Sequence, residues 1–410
     1  MLGVTRGSAL YVGALIGPGV LLVPSLAAQA AGPSSILAWA LLLVFSLPLA
    51  ITFGALGVRH PVAGGVSAYV REGFGENASA VTGNAFMTAV LFGGPAVALI
   101  GGYYVANLTG SGTGVAVAVA LAIMLTVNAA NALGLRISSG FQLGLAAVLV
   151  AVIAIAVAVA LPSRATHNWT PFAPHGWWAV GTAANILVWL FVGWEAMAQL
   201  AGDFRDPQRD LPRAMALAFA VVTVLYVGLA AATISVTAGS GSRVPLADLI
   251  SVGFGRAGRD ATAVLAVALT MGTMNVYTGS MAKLGASLAQ AGALPQWLGV
   301  LAAGAASAGT FVRATSACFI LVYVLALASA VRITDGALRV CAAVALALIC
   351  AVGVFSSWYL AVPAAAALLT LGLRYTAARH VQGLLSLREE AGVRPSPVAL
   401  DGGDEAPLRP

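Results

Sequence analysis

Gly17-Pro18-Gly19 lies near the middle of an apolar run, Ser8 to Ala31, long enough to cross a bilayer. Proline has no N–H and its ring clashes with the preceding turn, so a helix through this run opens at Pro18. In hydrocarbon an unpaired backbone group costs several kcal/mol, and a break is tolerated only where protein or a watery cavity surrounds it. Freed N–H and C=O groups would then meet a polar ligand at the midplane. A kink that serves packing alone is the other reading, because Gly and Pro are common in membrane helices.

A second weak point lies in the run Asn185 to Ala196, where Gly193 stands beside Glu195. Of the 14 acidic residues, Glu195 is the one well inside an expected span. An intramembrane carboxylate marks a functional site by default. Its charged form there costs roughly 2.5–3.5 kcal/mol. Neutralising it at pH 7 costs about 3.7 kcal/mol from an ordinary pKa near 4.3. The two costs nearly balance, as a proton-linked gate requires. A structural pairing with arginine is the alternative, but Arg205 and Arg209 are ten or more residues away, roughly 15 Å along a helix. Paired interruptions in corresponding helices of two halves are a sequence pointer to a transporter site.

Hydrophobic residues make up 60% of the 410 residues and charged residues 8%, which excludes a soluble enzyme. The basic residues of this +6 chain are scattered singly, so no nucleic-acid patch forms. Its single lysine, Lys283, against nineteen arginines suggests a GC-rich bacterial genome. Cys318, Cys341 and Cys350 lack metal-ligand spacing, and His60, His167, His175 and His380 fall in connections or the tail. Neither a metal site nor a nucleophile with its base is assembled, so no cofactor is expected. The first apolar run is too long for a cleavable signal.

Eleven apolar runs follow one another, at 8–31, 34–58, 78–107, 113–133, 138–161, 177–201, 211–238, 260–290, 312–331, 336–353 and 355–375. They make residues 1–375 an all-α polytopic membrane domain, with 376–410 a polar, mostly disordered tail. With a cytoplasmic N-terminus, eleven crossings put Arg313 inside and Arg332, Arg339 and the tail arginines outside. The last placement conflicts with the positive-inside rule, which asks for ten or twelve crossings. The cleanly apolar runs at 336–353 and 355–375 favour the count of eleven.

Four segments resemble the amino acid–polyamine–organocation transporter family. Gly13 to Pro24 is similar to its first-helix break, and His60-Pro61-Val62-Ala63-Gly64-Gly65 to its Pro-x-Ala-Gly-Gly loop. Phe191-Val192-Gly193-Trp194-Glu195, followed by Asp203 to Ala214, resembles its sixth helix and next loop. Gly292-Ala293-Leu294-Pro295 resembles the loop after helix eight. The details lie nearest to bacterial exporters of methionine, branched-chain and aromatic amino acids.

The resemblance implies a broken-helix core of two inverted five-helix repeats, with two further helices. It implies a substrate site at Ile16, Gly17, Gly19, Val20, Phe191, Gly193 and Trp194. N–H groups of Gly19 and Val20 would take the carboxylate, freed carbonyls the ammonium, and Phe191 and Trp194 an apolar side chain. Glu195 would be the proton-linked gate, with Asn275 and Tyr277 as further cavity candidates. Pro18 stands where the family commonly has Ser or Thr, removing one N–H and one hydroxyl. Helix five has no lysine or acid, so a lysine-based proton site there is excluded, and protons are favoured over sodium. Arg332 to Tyr375 has room for two spans where three are expected, which points to the tenth helix as the absent one.

The breaks and the resemblance together imply a secondary transporter of small amino acids in the bacterial inner membrane, and the likeness to exporters implies that it works by proton-coupled efflux. An uptake permease or exchanger is the alternative within the class. A non-transporting sensor or partner subunit is the alternative outside it.

Overall fold

The computed structural model describes residues 2–59, 66–133, 139–163, 165–194, 204–237, 241–288 and 307–390. Of residues 139, 163, 276–288, 377, 378 and 380–390 it describes the backbone alone. Among the described residues the regular structure is helical, apart from one isolated bridge between Leu2 and Phe204.

The first crossing is split into α1 (Val4–Leu15), a 3-10 turn (Pro18–Leu21) and α2 (Val23–Ala31). Three helices then cross the bilayer in turn: α3 (Ser35–Arg59), α4 (Val66–Thr109) and α5 (Thr113–Ala132). The fifth is α6 (Ser139–Ala160), and the sixth begins as α7 (Trp178–Leu187) with a 3-10 turn at Val188–Phe191. The rest are α8 (Pro207–Thr237), α9 (Pro245–Leu288), α10 (Ala308–Ile333), α11 (Gly336–Gly353) and α12 (Ala361–Glu390). Among the described residues seven stretches are long and apolar enough to cross a membrane unaided, with α2 and α3 joined in one and α11 and α12 in another. In the first and sixth crossings α1 and α7 are each too short to span alone, because each stops at a break. The segment expected to be tail from 376 begins as the end of α12.

Small residues let these helices approach closely, the usual device where lipid supplies no hydrophobic drive between them. A side chain at Gly101 of α4 would come within 2.6 Å of Thr270 Oγ1 on α9, and one at Gly102 would strike the Ala116 carbonyl of α5. Two α4 segments meet at Gly75, whose φ of +82° turns a short surface helix into the third crossing.

Contacts with α4 fix the direction of the later helices. Gly101 meets Thr270 and Gly94 meets Met274, so α9 runs antiparallel to α4. Phe92 packs on Phe311 and Phe86 on Phe319, so α10 also runs antiparallel to α4. Arg332 Nη1, at its end, donates to Gly73 O at 3.0 Å. Consecutive helices α9 and α10 therefore run the same way, and the chain ends at 288 and 307 lie on opposite faces. The described residues hold no helix for the ninth crossing; α10 fills the place of the tenth, correcting the sequence expectation. Arg374 Nε, near the end of α12, donates to Asn77 Oδ1 at 2.9 Å. The end of α12 thus sits on the face that holds Leu2, Gly73 and Arg332; the described residues hold eleven helical crossings, and the expectation that the termini lie on opposite faces is corrected. Arg313 moves to the far face, over the Tyr359 ring at 5.9 Å, while Arg332 and Arg339 move to the N-terminal face.

Candidate functional site

At the first break, α1 closes when the Ile16 N–H donates to Val12 O at 2.8 Å. Ile16 then leaves helical geometry at ψ 83°, and Gly17 is extended at φ −100°, ψ −175°. Pro18 opens the 3-10 turn, in which Val20 N donates to Gly17 O at 3.3 Å and Leu22 N to Gly19 O at 3.1 Å. The N–H groups of Gly17 and Gly19 have no hydrogen-bond partner among the described residues. The expected donor pair therefore changes: Val20 is committed within the turn, and the open donors belong to Gly17 and Gly19.

The second break follows the same logic. The 3-10 turn ends at Phe191, Val192 is extended, and Gly193 takes φ +130°, which L side chains rarely adopt. A side chain there would also lie 2.9 Å from the Ala14 carbonyl. Both backbone conformation and close approach require glycine, and they bring the two breaks together.

Tyr226 of α8 joins them. Its hydroxyl lies 2.9 Å from Leu15 O and 3.0 Å from Leu190 O, one carbonyl from each broken crossing. A hydroxyl has one proton, so it serves only one of these acceptors at a time. The ring is fully buried and held edge-on by Trp39 and Phe191.

The breaks border a cavity of about 510 Å³, within the usual range for small-molecule sites. The first crossing lines it from Leu10 to Gly19, and the sixth through Trp189, Leu190, Val192 and Gly193. Phe86 and Val90 of α4, Leu143 and Ala146 of α6, Leu269 of α9 and Phe319 of α10 supply apolar walls. Among the described lining residues none is charged, and Gln142 and Thr273 carry the polar side chains that hydrogen-bond most readily. Gln142 Nε2 donates to Gly272 O at 3.1 Å, tying α6 to α9 across the wall.

Of the residues expected at the site, Ile16, Gly17, Gly19 and Gly193 line this cavity. Val20, Phe191 and Trp194 are buried behind its wall. Phe191 packs on Tyr226 and Trp194 on Phe219, because side chains on the far side of each broken turn fill the helix interface. Asn275 is buried outside the described lining. Glu195 and the Tyr277 side chain lie outside the described residues. Sequence reasoning missed Gln142 and Tyr226. A lone Gln near the start of an apolar run was the available signal for the first, whereas a Tyr inside a span looks like core.

The amino acid permease family matches residues 2–373. This chain belongs to that family. An uncharacterized amino acid permease of Bacillus subtilis, YecA, is 31% identical over 73% of this chain and 71% of its own. The L-methionine/branched-chain amino acid exporter YjeH of Escherichia coli is 28% identical over 70% of each chain. A manganese transporter of Eremococcus coleocola shares the fold at a TM-score of 0.55 and 12% identity, over 90% of this chain and 92% of its own. The permease is thus a multi-pass membrane protein of the broken-helix transporter fold. Among the described residues no cluster of His, Cys, Asp or Glu is suited to a metal ion.

Proposed function

We propose that this permease exports small neutral amino acids across the bacterial inner membrane, coupled to protons. The observation that carries the reading is the cavity between the two breaks. It offers open N–H donors at Gly17 and Gly19, open carbonyl capacity at Leu15 and Leu190, and no charged side chain among its described lining. A carboxylate fits the two N–H groups, which sit at the positive end of the half-helix that follows. An ammonium fits whichever carbonyl the Tyr226 hydroxyl leaves unserved. The substrate side chain meets Leu143, Ala146, Leu269 and Phe319, walls that accept apolar groups and penalise an unpaired charge. The name of the relative YjeH, an exporter of methionine and branched-chain amino acids, supports both substrate class and direction.

Arginine placement supports a cytoplasmic N-terminal face. That face holds Arg6, Arg59, Arg71, Arg205, Arg209, Arg213, Arg332, Arg339 and Arg374, against Arg243, Arg256, Arg259 and Arg313 opposite. Glu195 is the proton carrier in this reading, as the acidic residue well inside an expected span.

Flux of radiolabelled leucine and methionine in proteoliposomes, with the proton gradient imposed in each direction, tests the proposal. Efflux against the amino-acid gradient should follow inward proton movement. Glu195→Gln should still bind substrate but lose the pH dependence of flux. Parent-like pH dependence in that variant would remove Glu195 from the mechanism, and flux that ignores the proton gradient would remove proton coupling altogether.

A further inference from the structure

On the face opposite the N-terminus a second cavity, about 550 Å³, opens between the end of α4 and the kink in α9. Its charged lining is Arg256, Arg259 and Asp260, a net of +1 from two arginines and one aspartate. Gly255 has φ +55°, so the membrane-crossing part of α9 restarts at Arg256. Both arginines therefore sit in the first turns of a helix, where they oppose the macrodipole.

Neither guanidinium is well matched among the described residues. Arg256 is exposed, and its Nε is 3.9 Å from Asp260 Oδ2. Arg259 donates from Nη2 to Ser251 Oγ at 3.3 Å and approaches Asp248 Oδ1 only to 3.8 Å. Asp248 is itself held by the Ser242 hydroxyl. Arg259 Nε is buried without a hydrogen-bond partner among the described residues. An arginine fork with open donors matches a phosphate or carboxylate.

The surroundings are apolar on the membrane side. Leu108 lines the cavity and is exposed, and Val252 and Phe254 are exposed beside it. Val264, one turn deeper than Asp260, is 67% exposed. A free anion has no use for this skirt, whereas an acyl chain does.

We propose that this cavity binds the phosphate of an anionic phospholipid from the opposite leaflet. Arg256 and Arg259 hold the phosphodiester, whose single negative charge cancels the net charge of the lining. An acyl chain runs past Leu108 and Val264. Because α9 also supplies Leu269, Gly272 and Thr273 to the central cavity, the bound lipid steadies the hinge at Gly255. This inference does not depend on the substrate reading.

Native mass spectrometry of the purified permease, released from detergent with phosphatidylglycerol or phosphatidylcholine, tests it. One phosphatidylglycerol should be retained in preference to phosphatidylcholine. Arg256→Gln and Arg259→Gln should each weaken retention about fivefold, the equivalent of about 1 kcal/mol per arginine at an anionic leaflet. Arg259→Lys should retain more lipid than Arg259→Gln. Arg243→Gln is the control, since Arg243 stacks on Tyr103 outside this cavity. Unfolding temperatures in phosphatidylcholine show that the variants are folded. Equal retention of the two lipids, or unchanged retention in both glutamine variants, would overturn the proposal. If inorganic phosphate raises the unfolding temperature as far as phosphatidylglycerol does, the site takes a free anion and the lipid assignment fails.

Discussion

Replacing Tyr226 with phenylalanine deletes one oxygen and keeps the ring that packs on Trp39 at 5.2 Å and on Phe191 at 5.5 Å. The deleted proton is shared between the carbonyls of Leu15 and Leu190. Loss of a buried donor leaves an acceptor unserved, at about 1–3 kcal/mol. Unfolding entropy of about 2.1 cal/mol/K per residue over 410 residues turns this into a fall of roughly 1–4 °C in unfolding temperature. Tyr104→Phe is the control: its hydroxyl, equally buried, donates to Leu21 O at 2.9 Å and also meets the backbone N–H groups of Leu246 and Ala247. Without substrate, both variants should lose stability, Tyr104→Phe the more because it also leaves those N–H groups without their acceptor. Added leucine separates them. In Tyr226→Phe both carbonyls are open to the substrate ammonium, so saturating leucine should recover more stability than in Tyr104→Phe. Thermal unfolding in detergent, with and without leucine, reads both effects. If leucine stabilises the two variants equally, the Leu15 and Leu190 carbonyls are not the ammonium site. If Tyr226→Phe alone unfolds at the parent's temperature, the shared hydrogen bond is absent.

Gly17→Leu should fold yet fail to bind substrate, because a side chain there meets open space within the cavity at an allowed φ of −100°; normal flux in this variant would show that substrate takes another route. Gly19 is the poorer probe, since its side chain would press on Leu190 Cδ2 at 2.7 Å and disturb the wall. Gln142→Leu removes the tie to Gly272 O and should lower stability by about 1 kcal/mol, measured by thermal unfolding, while narrowing tolerance for polar substrates in competition assays. A reporter fused after Glu390 should respond as one fused before Leu2, and a cysteine at Arg332 should label from the same face as one at Arg71, with a cysteine at Arg313 labelling from the opposite face. A cysteine at Arg313 that labels from the same face as one at Arg71 would refute the parallel course of α9 and α10.

Some of this protein could be read from the chain alone. A mean hydropathy of +0.95 with so few charges admits no aqueous fold, and runs of twenty apolar residues admit only helices in lipid. The breaks were legible because Pro18 and Gly193 act through local backbone chemistry that no neighbour can repair. Tertiary structure decided the rest. Val20, Phe191 and Trp194 share the broken segments with Gly17 and Gly193, but the rotation of each turn sends them into helix interfaces. Tyr226 became part of the site only when α8 packed across both breaks, a contact spanning 211 residues to Leu15. Helix direction was equally hidden, because hydropathy has no sign along the bilayer normal and a crossing counts the same either way. Pairing with α4 supplied that sign: it set α9 and α10 parallel, brought Arg374 to Asn77, and so put the end of α12 on the N-terminal face.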